Sequence, residues 1–498
     1  MLLPILICTV PPIHDYPFHL ARADILASLN SSTFLRAHYT VSTFLLPNVG
    51  MDVVMIPLTR TLPILIAGRV FLGIVLLVML TGTVALHASL HRRLSVWPLL
   101  AGFFLYNWIF MYGFLNYLLG VGLMLWATAG WIALQNRAVG WRLAWATVMA
   151  LILLACHLEA LGLFAVVVGG MELQRGVQTA RTSLSAAARD VALAALPFVI
   201  ALAVFIAVSP TAGEVKEVIA YHGGRAWKPL VFYRTLLNPG GWSDLVMLSP
   251  LAIGVVWALW RRRLHVARPM VMALVLLVVT FGVMPFYLFG AQIADARLPI
   301  AILLVAIGAT SVTGFSRRTQ LVVSLCALAL LTVRSAAIAR DWVASDVRLA
   351  VFTDAFRLLP DGTTLYAATA GAYPTIDYRD VAGLALWHPP LKHVVSLASL
   401  GRAIFVPATW ANPHQQPMGL VAAVAQIKDL QQDNPLKTPI AADLNEFIGR
   451  IHDVRAALSS RPPPDCLLLL YPGRLEGDLP PRVSIIARDA DFVLLQLP

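Results

Sequence analysis

Apolar runs of about bilayer length recur through the first two-thirds of the chain, and every second connection between them carries arginine. A helix needs about 20 apolar residues to cross a hydrocarbon core of ~30 Å. Repetition on that scale points to one fold class, a polytopic α-helical membrane protein. Composition agrees: 59% of residues are apolar and 13% charged, with a mean hydropathy of +0.76, far from a soluble average. The pattern predicts about eleven transmembrane helices, at 1–12, 62–88, 95–112, 115–134, 141–156, 160–173, 187–208, 246–260, 269–289, 298–314 and 319–338. The first is short for a bilayer, so either translation starts upstream of Met1 or neighbouring helices complete it. Met1–Val10 lacks the basic leader and small-residue cleavage site of a signal peptide.

Arginine placement sets the orientation. Arg92 and Arg93, then Arg137 and Arg142, then Arg175, Arg181 and Arg189 fall in alternate turns, and Arg261, Arg262, Arg263 and Arg268, then Arg317 and Arg318, continue the alternation. Basic residues in short loops stay cytoplasmic. Loops 13–61, 113–115, 157–159, 209–245 and 290–297 are therefore expected outside, with everything after 338. Much of the net charge of +11 is this topology signal. No aromatic-interleaved basic stripe accompanies it, so no nucleic-acid partner is expected. Scarce lysine beside abundant arginine fits a GC-rich bacterial genome. Cys8, Cys156, Cys326 and Cys466 show no metal or disulfide spacing and read as apolar filler.

The composition changes near Asp341, dividing the chain into a membrane domain, 1–338, and an outer domain, 339–498. Asp346–Leu359 reads as an amphipathic helix stopped by Pro360-Asp361-Gly362. Thr363–Ala370, Ala403–Val406 and Cys466–Leu470 read as short buried strands, Ala441–Leu458 as a helix, and Val483–Leu497 as a hairpin turning near Asp489-Ala490-Asp491. Strands alternating with helices imply a small α/β fold.

The polar groups of the membrane part collect on the side expected to be outer. The first loop opens Pro11-Pro12-Ile13-His14-Asp15-Tyr16-Pro17-Phe18-His19-Leu20-Ala21-Arg22, and Asp24 follows. Later turns add Tyr112, Phe114 and Asn116, then His157 and Glu159, then His222, Arg225 and Lys228, and finally Asp295 and Arg297. Unpaired buried charge is costly, so a cluster at helix ends has to be solvated, paired or used. Each member has an ordinary reading. Asp15 suits a helix cap with Pro17 in the first turn, His14 and His19 suit an interface, His157 and Glu159 suit a structural pair, and Asp295 and Arg297 suit a local ion pair. Their coincidence on one face favours a functional cleft. A pore or carrier would instead hold ionisable groups at mid-helix depth.

This pattern resembles the GT-C superfamily of membrane glycosyltransferases. The resembling features are the loop from Pro12 to Arg60 with its acidic residue, the outer acidic and basic turns, and the many-helix architecture of 1–338. Tyr112–Gly120 (YGFLNYLLG) and Asp295–Pro299 (DARLP) are similar to segments of related bacterial membrane proteins. The resemblance implies transfer of a sugar from a polyprenyl-phosphate donor to an envelope acceptor at the outer face of a bacterial inner membrane. Asp15 would be the base on the acceptor hydroxyl, with Glu159 and His157 as further catalytic candidates. His14, His19, Arg22, Asn116, His222, Arg225, Lys228, Asp295 and Arg297 would bind substrate, the cations holding the lipid phosphate. Many relatives carry an acidic pair in this loop, whereas here His14 precedes Asp15 and no acidic neighbour follows until Asp24. No cofactor is expected, although His14, Asp15 and His19 are residues of metal-ligand type. The competing readings are a transporter or flippase of a lipid-linked precursor and a non-catalytic envelope assembly protein.

Overall fold

The structure, a computed structural model, describes the chain apart from residues 181–182, 214–218, 222–226, 239–241, 289–290, 370, 373–390, 423, 428–436, 439–440, 458–463 and 471–478. The chain begins with α1 (Leu3–Ile7), α2 (Tyr16–Ser28), α3 (Thr33–His38), α4 (Gly50–Thr59) and α5 (Ile64–His91). The bundle continues through α6 (Trp108–Tyr112), α7 (Leu115–Ala133), α8 (Val139–Cys156), α9 (Leu158–Ala180) and α10 (Leu184–Val208). After the single turn α11 (Pro210–Gly213) come α12 (Trp227–Thr235), α13 (Trp242–Trp260), α14 (Val271–Val283), α15 (Ala294–Ala309) and α16 (Arg317–Phe356). Among the described residues, six helices are long and apolar enough to cross a membrane: α5, α7, α8, α9, α10 and α16. The protein is a multi-pass, mainly helical membrane protein.

Small residues bring the central pair together. A Cβ on Gly122 would fall 2.7 Å from the Met79 nitrogen, and one on Gly82 would fall 2.6 Å from the Gly122 carbonyl, so α5 and α7 touch backbone to backbone. Where α13 meets α16, Arg334 Nε and Nη2 donate to Asp244 Oδ1 and Oδ2 at 2.6 and 3.0 Å. Both groups are buried, and the bidentate geometry offsets the desolvation that an isolated charge would suffer.

Two expected spans do not form as single helices. In place of 1–12 only Leu3–Ile7 is helical. Pro11 and Pro12 cannot continue a helix, and the Thr9 and Val10 amides instead donate to Asp346 Oδ2 and Oδ1 at 2.8 Å each. In place of 95–112 a 3-10 segment, Trp97–Phe104, is followed by α6. Pro98 lies in its first turn. Asn107 then restarts the chain, donating to the Phe104 carbonyl at 2.8 Å and accepting from the Phe110 amide at 3.1 Å.

The helix expected at 319–338 does not end there, because α16 runs unbroken from Arg317 to Phe356. Its last turns are the amphipathic helix expected at Asp346–Leu359. They support a four-stranded sheet whose strands are β1 (Thr364–Thr369), β2 (Asp465–Leu470), β3 (Ser484–Arg488) and β4 (Phe492–Gln496), in spatial order β3-β4-β2-β1. The β1–β2 pair is parallel, with Ala367 opposite Leu468, and β4 runs antiparallel to both β2 and β3. Alternate residues reach two cores. Leu365, Ala367, Cys466, Leu468, Phe492 and Leu494 join Leu349, Phe352 and Phe356 of α16. Tyr366, Leu467, Leu469 and Val493 join Leu444, Ile448 and Ile451 of α17 (Ala441–Ala457). Arg455 fixes α17 to the strand ends, donating to both Asp465 oxygens and to Thr364 Oγ1. The expected strand at 403–406 reduces to a parallel bridge between Phe405 and Thr364.

Three contacts lock this α/β region onto the first loop. Tyr39–Val41 pairs antiparallel with Met418–Leu420. Asp24, whose carboxyl is pushed up by burial, accepts the Gly401 amide at 2.7 Å. The 3-10 segment Leu391–Ser399 lies against α2 and buries Leu391, Val394 and Val395.

Candidate active site

The segment before α2 is held by backbone. The His14 and Asp15 amides donate to the Met111 and Tyr112 carbonyls at 2.9 and 3.1 Å. This close approach requires Gly113, whose φ is +108° and whose Cβ, if present, would fall 2.8 Å from Asp15 Cβ. Asp15 occupies the N-cap position of α2 yet makes no capping hydrogen bond. Its carboxylate is directed elsewhere. Asp15 Oδ1 lies 3.4 Å from His393 Nε2 and 3.9 Å from His14 Nε2, with the carboxylate 20% exposed. Aromatic rings border it: His14 packs on Tyr112 at 5.0 Å, His393 on Phe18 at 4.3 Å, and the exposed Trp410 lies 6.4 Å from Phe18.

Behind Asp15 runs a buried polar chain. Arg22 Nε and Nη2 donate to Asp52 Oδ1 and Oδ2 at 2.7 and 3.1 Å. Arg22 Nη2 also lies 3.2 Å from His19 Nδ1, and His19 Nε2 lies 3.2 Å from the Gly113 carbonyl. Only one tautomer satisfies both contacts, with Nδ1 accepting and Nε2–H donating. Burial and the adjacent guanidinium push His19 down to about 3, so its ring is neutral. The chain ties α2 and α4 to the turn that carries Gly113.

A second cluster lies beyond the aromatic pair Tyr112–Phe114, which stacks at 5.1 Å. The Arg297 guanidinium sits 4.2 Å above the Phe114 ring, donates to Glu159 Oε2 at 3.1 Å, and donates to the Gln292 carbonyl at 2.6 Å. His157 Nδ1 lies 3.2 Å from the Glu159 amide and Nε2 lies 3.4 Å from Arg297 Nη1, and a neutral ring accepts at one of these two nitrogens. Asp295 Oδ2 accepts from both Lys228 Nζ and Trp227 Nε1 at 2.8 Å. Glu159 Oε1, Asp295 Oδ1 and Arg297 Nε are buried without hydrogen-bond partners among the described residues. An apolar cleft lined by Trp108, Trp227, Val231, Phe286 and Ile293, with Arg234 on its wall, adjoins this cluster.

Thus His14, Asp15, His19 and Arg22 form one cluster, and His157, Glu159, Lys228, Asp295 and Arg297 form a second cluster beside it. Asn116 turns to backbone, donating to the Asn48 carbonyl and accepting the Met51 amide, and so pins the start of α4. His222 and Arg225 lie outside the described residues. The arginine-bearing turns gather elsewhere: Arg142 and Arg175 pair with Glu172, and Gln174 holds the Arg268 carbonyl.

Two residues of the first cluster escaped the sequence reading. Asp52 is a carboxylate inside the apolar stretch Gly50–Thr59, which by itself demands a buried cation. His393 follows a second Pro-Pro pair, Pro389-Pro390, much as His14 follows Pro11-Pro12.

No protein-family model and no curated protein sequence matches the chain. Two solved structures do, both crystal structures of ArnT from Cupriavidus metallidurans. The chain shares its fold with ArnT. The ArnT structure bound to undecaprenyl phosphate superposes with a TM-score of 0.53 at 12% identity, covering 99% of this chain and 96% of that one. The apo ArnT structure gives 0.55 at 13% identity, covering 99% and 95%. The match therefore spans both the helical bundle and the α/β region, and at this identity it concerns fold.

Proposed function

We propose that the protein is an integral-membrane glycosyltransferase that moves a sugar from a polyprenyl-phosphate carrier to an acceptor in the cell envelope. The observation that carries this reading is Asp15: a carboxylate on a backbone-held segment, free of the capping role its position offers and 20% exposed among aromatic rings, in a fold shared with ArnT. In the reaction, Asp15 takes the proton of the acceptor hydroxyl as the acceptor oxygen bonds to the anomeric carbon. The bond from that carbon to the carrier phosphate breaks, and the phosphate leaves with the electron pair.

Charge on the departing phosphate needs cations. Lys228 and Arg297 supply them beside the apolar cleft, with Arg234 further along its wall. Arg297 is held by Glu159 and the Gln292 carbonyl, with His157 packed alongside, so Glu159 and His157 position it. Lys228, with 23% of its side chain exposed, is the more open of the two. Trp410, which is exposed, offers an apolar ring face to a sugar. With the arginine-bearing turns in the cytoplasm, this face and the α/β region lie on the periplasmic side of a bacterial inner membrane.

The test is transfer by the full-length protein in liposomes from a polyprenyl-phosphate-linked sugar, read as release of the free polyprenyl phosphate. Asp15→Asn is expected to slow release by ~10²–10⁴-fold, the usual contribution of a positioned base. Equal rates for wild type and variant would remove Asp15 from that role.

A further inference from the structure

Two imidazoles far apart in sequence converge on one carboxylate oxygen. His393 Nε2 and His14 Nε2 lie 3.4 and 3.9 Å from Asp15 Oδ1, and the ligand atoms of all three residues lie within 4.8 Å of one another. An N–H···O hydrogen bond has its usual length near ~2.9–3.0 Å, so both separations are long for that purpose. They suit a different one. With metal–ligand bonds of about 2.1 Å, neighbouring ligands of a tetrahedral ion are about 3.4 Å apart. One edge of such a polyhedron is already at that value, and small ring rotations close the others.

The surroundings hold the rings in place. The His14 amide is bonded to the Met111 carbonyl and its ring rests on Tyr112, while the His393 ring rests on Phe18. The two rings meet edge to face at 5.0 Å. Local charge favours a cation as well. Arg22, the nearby guanidinium, is matched by Asp52. With neutral imidazoles, the carboxylate gives the three-residue set a net negative charge.

We infer that His14, Asp15 and His393 bind one divalent transition-metal ion. Two nitrogens and one oxygen suit zinc and its first-row neighbours better than magnesium or calcium. Three protein ligands leave a coordination position open, as in sites where an ion meets substrate rather than props up a fold. The open position would take an oxygen ligand, either a sugar hydroxyl or a phosphate. Because His393 belongs to the α/β region, the ion also joins that region to the first loop. Metal binding is read without turnover, so this inference and the transferase reading stand or fall separately.

The test uses the full-length protein in detergent, stripped with a chelator and titrated with Zn²⁺ alone, with bound metal measured by mass spectrometry. Wild type is expected to retain about one equivalent. The His14→Ala/His393→Ala double variant is expected to bind at least ~10-fold more weakly, by the measure of ligand loss at metal sites. His265→Gln, whose ring lies on Thr313 in the arginine-bearing part of the bundle, is expected to bind as wild type. Co²⁺ absorption of the wild type provides a second reading that does not depend on how the variants fold, and a strong visible band supports a tetrahedral nitrogen–oxygen site. No equivalent retained by wild type, or equal retention by the double variant, overturns the inference.

Discussion

Gly113→Ala isolates the placement of Asp15 from its chemistry. The new methyl would fall 2.8 Å from Asp15 Cβ and 2.9 Å from the Asp15 nitrogen. Carbon atoms pack at about 3.5–4.0 Å, so one of the two segments must retreat by roughly 1 Å. The Gly113 φ of +108° adds a strain of about 1–2 kcal/mol for a residue bearing Cβ. Retreat also disturbs the His19 contact to the Gly113 carbonyl and, through it, the link to Arg22 and Asp52. A displacement of about 1 Å at a reacting group is enough to cost ~10²-fold in rate, while strain of this size moves a thermal midpoint by only a few degrees. The assay pairs transfer rate with thermal midpoint for wild type, Gly113→Ala and the control Gly102→Ala, whose methyl would meet Leu331 at an ordinary 3.4 Å. Gly113→Ala is expected to fold and to turn over slowly, and Gly102→Ala to behave as wild type. Wild-type turnover in Gly113→Ala would refute the claim that this turn sets the position of Asp15.

Other outcomes follow from the same geometry. Asp52→Asn leaves the Arg22 charge buried without its partner and is expected to destabilise the protein by about 3–5 kcal/mol, a loss that Asp52→Asn/Arg22→Met should partly recover in detergent melting curves. His19 is held well below its ordinary value of 6.5, so the stability it contributes is present above that value and is lost as pH falls toward 3. Between pH 6.5 and 5 the loss amounts to about 2 kcal/mol, and the midpoint of His19→Gln should change less over that range. Arg297→Lys gives up the fork that reaches both Glu159 and the Gln292 carbonyl, with an expected fall in kcat/KM of about 10–100-fold. Asp361→Cys, at a position 74% exposed, should react with an impermeant thiol reagent from the outside of spheroplasts; reaction only after lysis would reverse the orientation.

Much of the architecture was legible because the forces that set it are local in sequence. Long apolar runs marked the six helices of spanning length among the described residues, whereas α14 and α15 are shorter. Strands such as Cys466–Leu470 and the hairpin at Asp489-Ala490-Asp491 were visible from β-branched and apolar runs ending in turn residues. The errors came from single residues that break a run: Pro11 and Pro12 end the first helix, while Pro98 and Asn107 divide the segment 95–112. The continuity of α16 was hidden because its composition turns polar near Asp341 although nothing in its backbone stops the helix. In the candidate site, Asp15 stood out because Pro-Pro and aromatic neighbours frame it. His393 could not be joined to it, since their contact depends on how the α/β region seats against α2. Asp52 was legible in principle, as the one acidic group within Gly50–Thr59, but naming Arg22 as its partner needed the fold.

Asp15 is expected to act on a polyprenyl-phosphate-linked sugar. Mass spectrometry of lipids that co-purify with the protein, wild type beside Asp15→Asn, addresses this most directly. The expected result is a free polyprenyl phosphate in the wild type and a sugar-charged form accumulating in the variant, whose mass would also identify the sugar. Bulk phospholipid alone in both preparations would contradict the transferase role and leave Asp15 without a substrate.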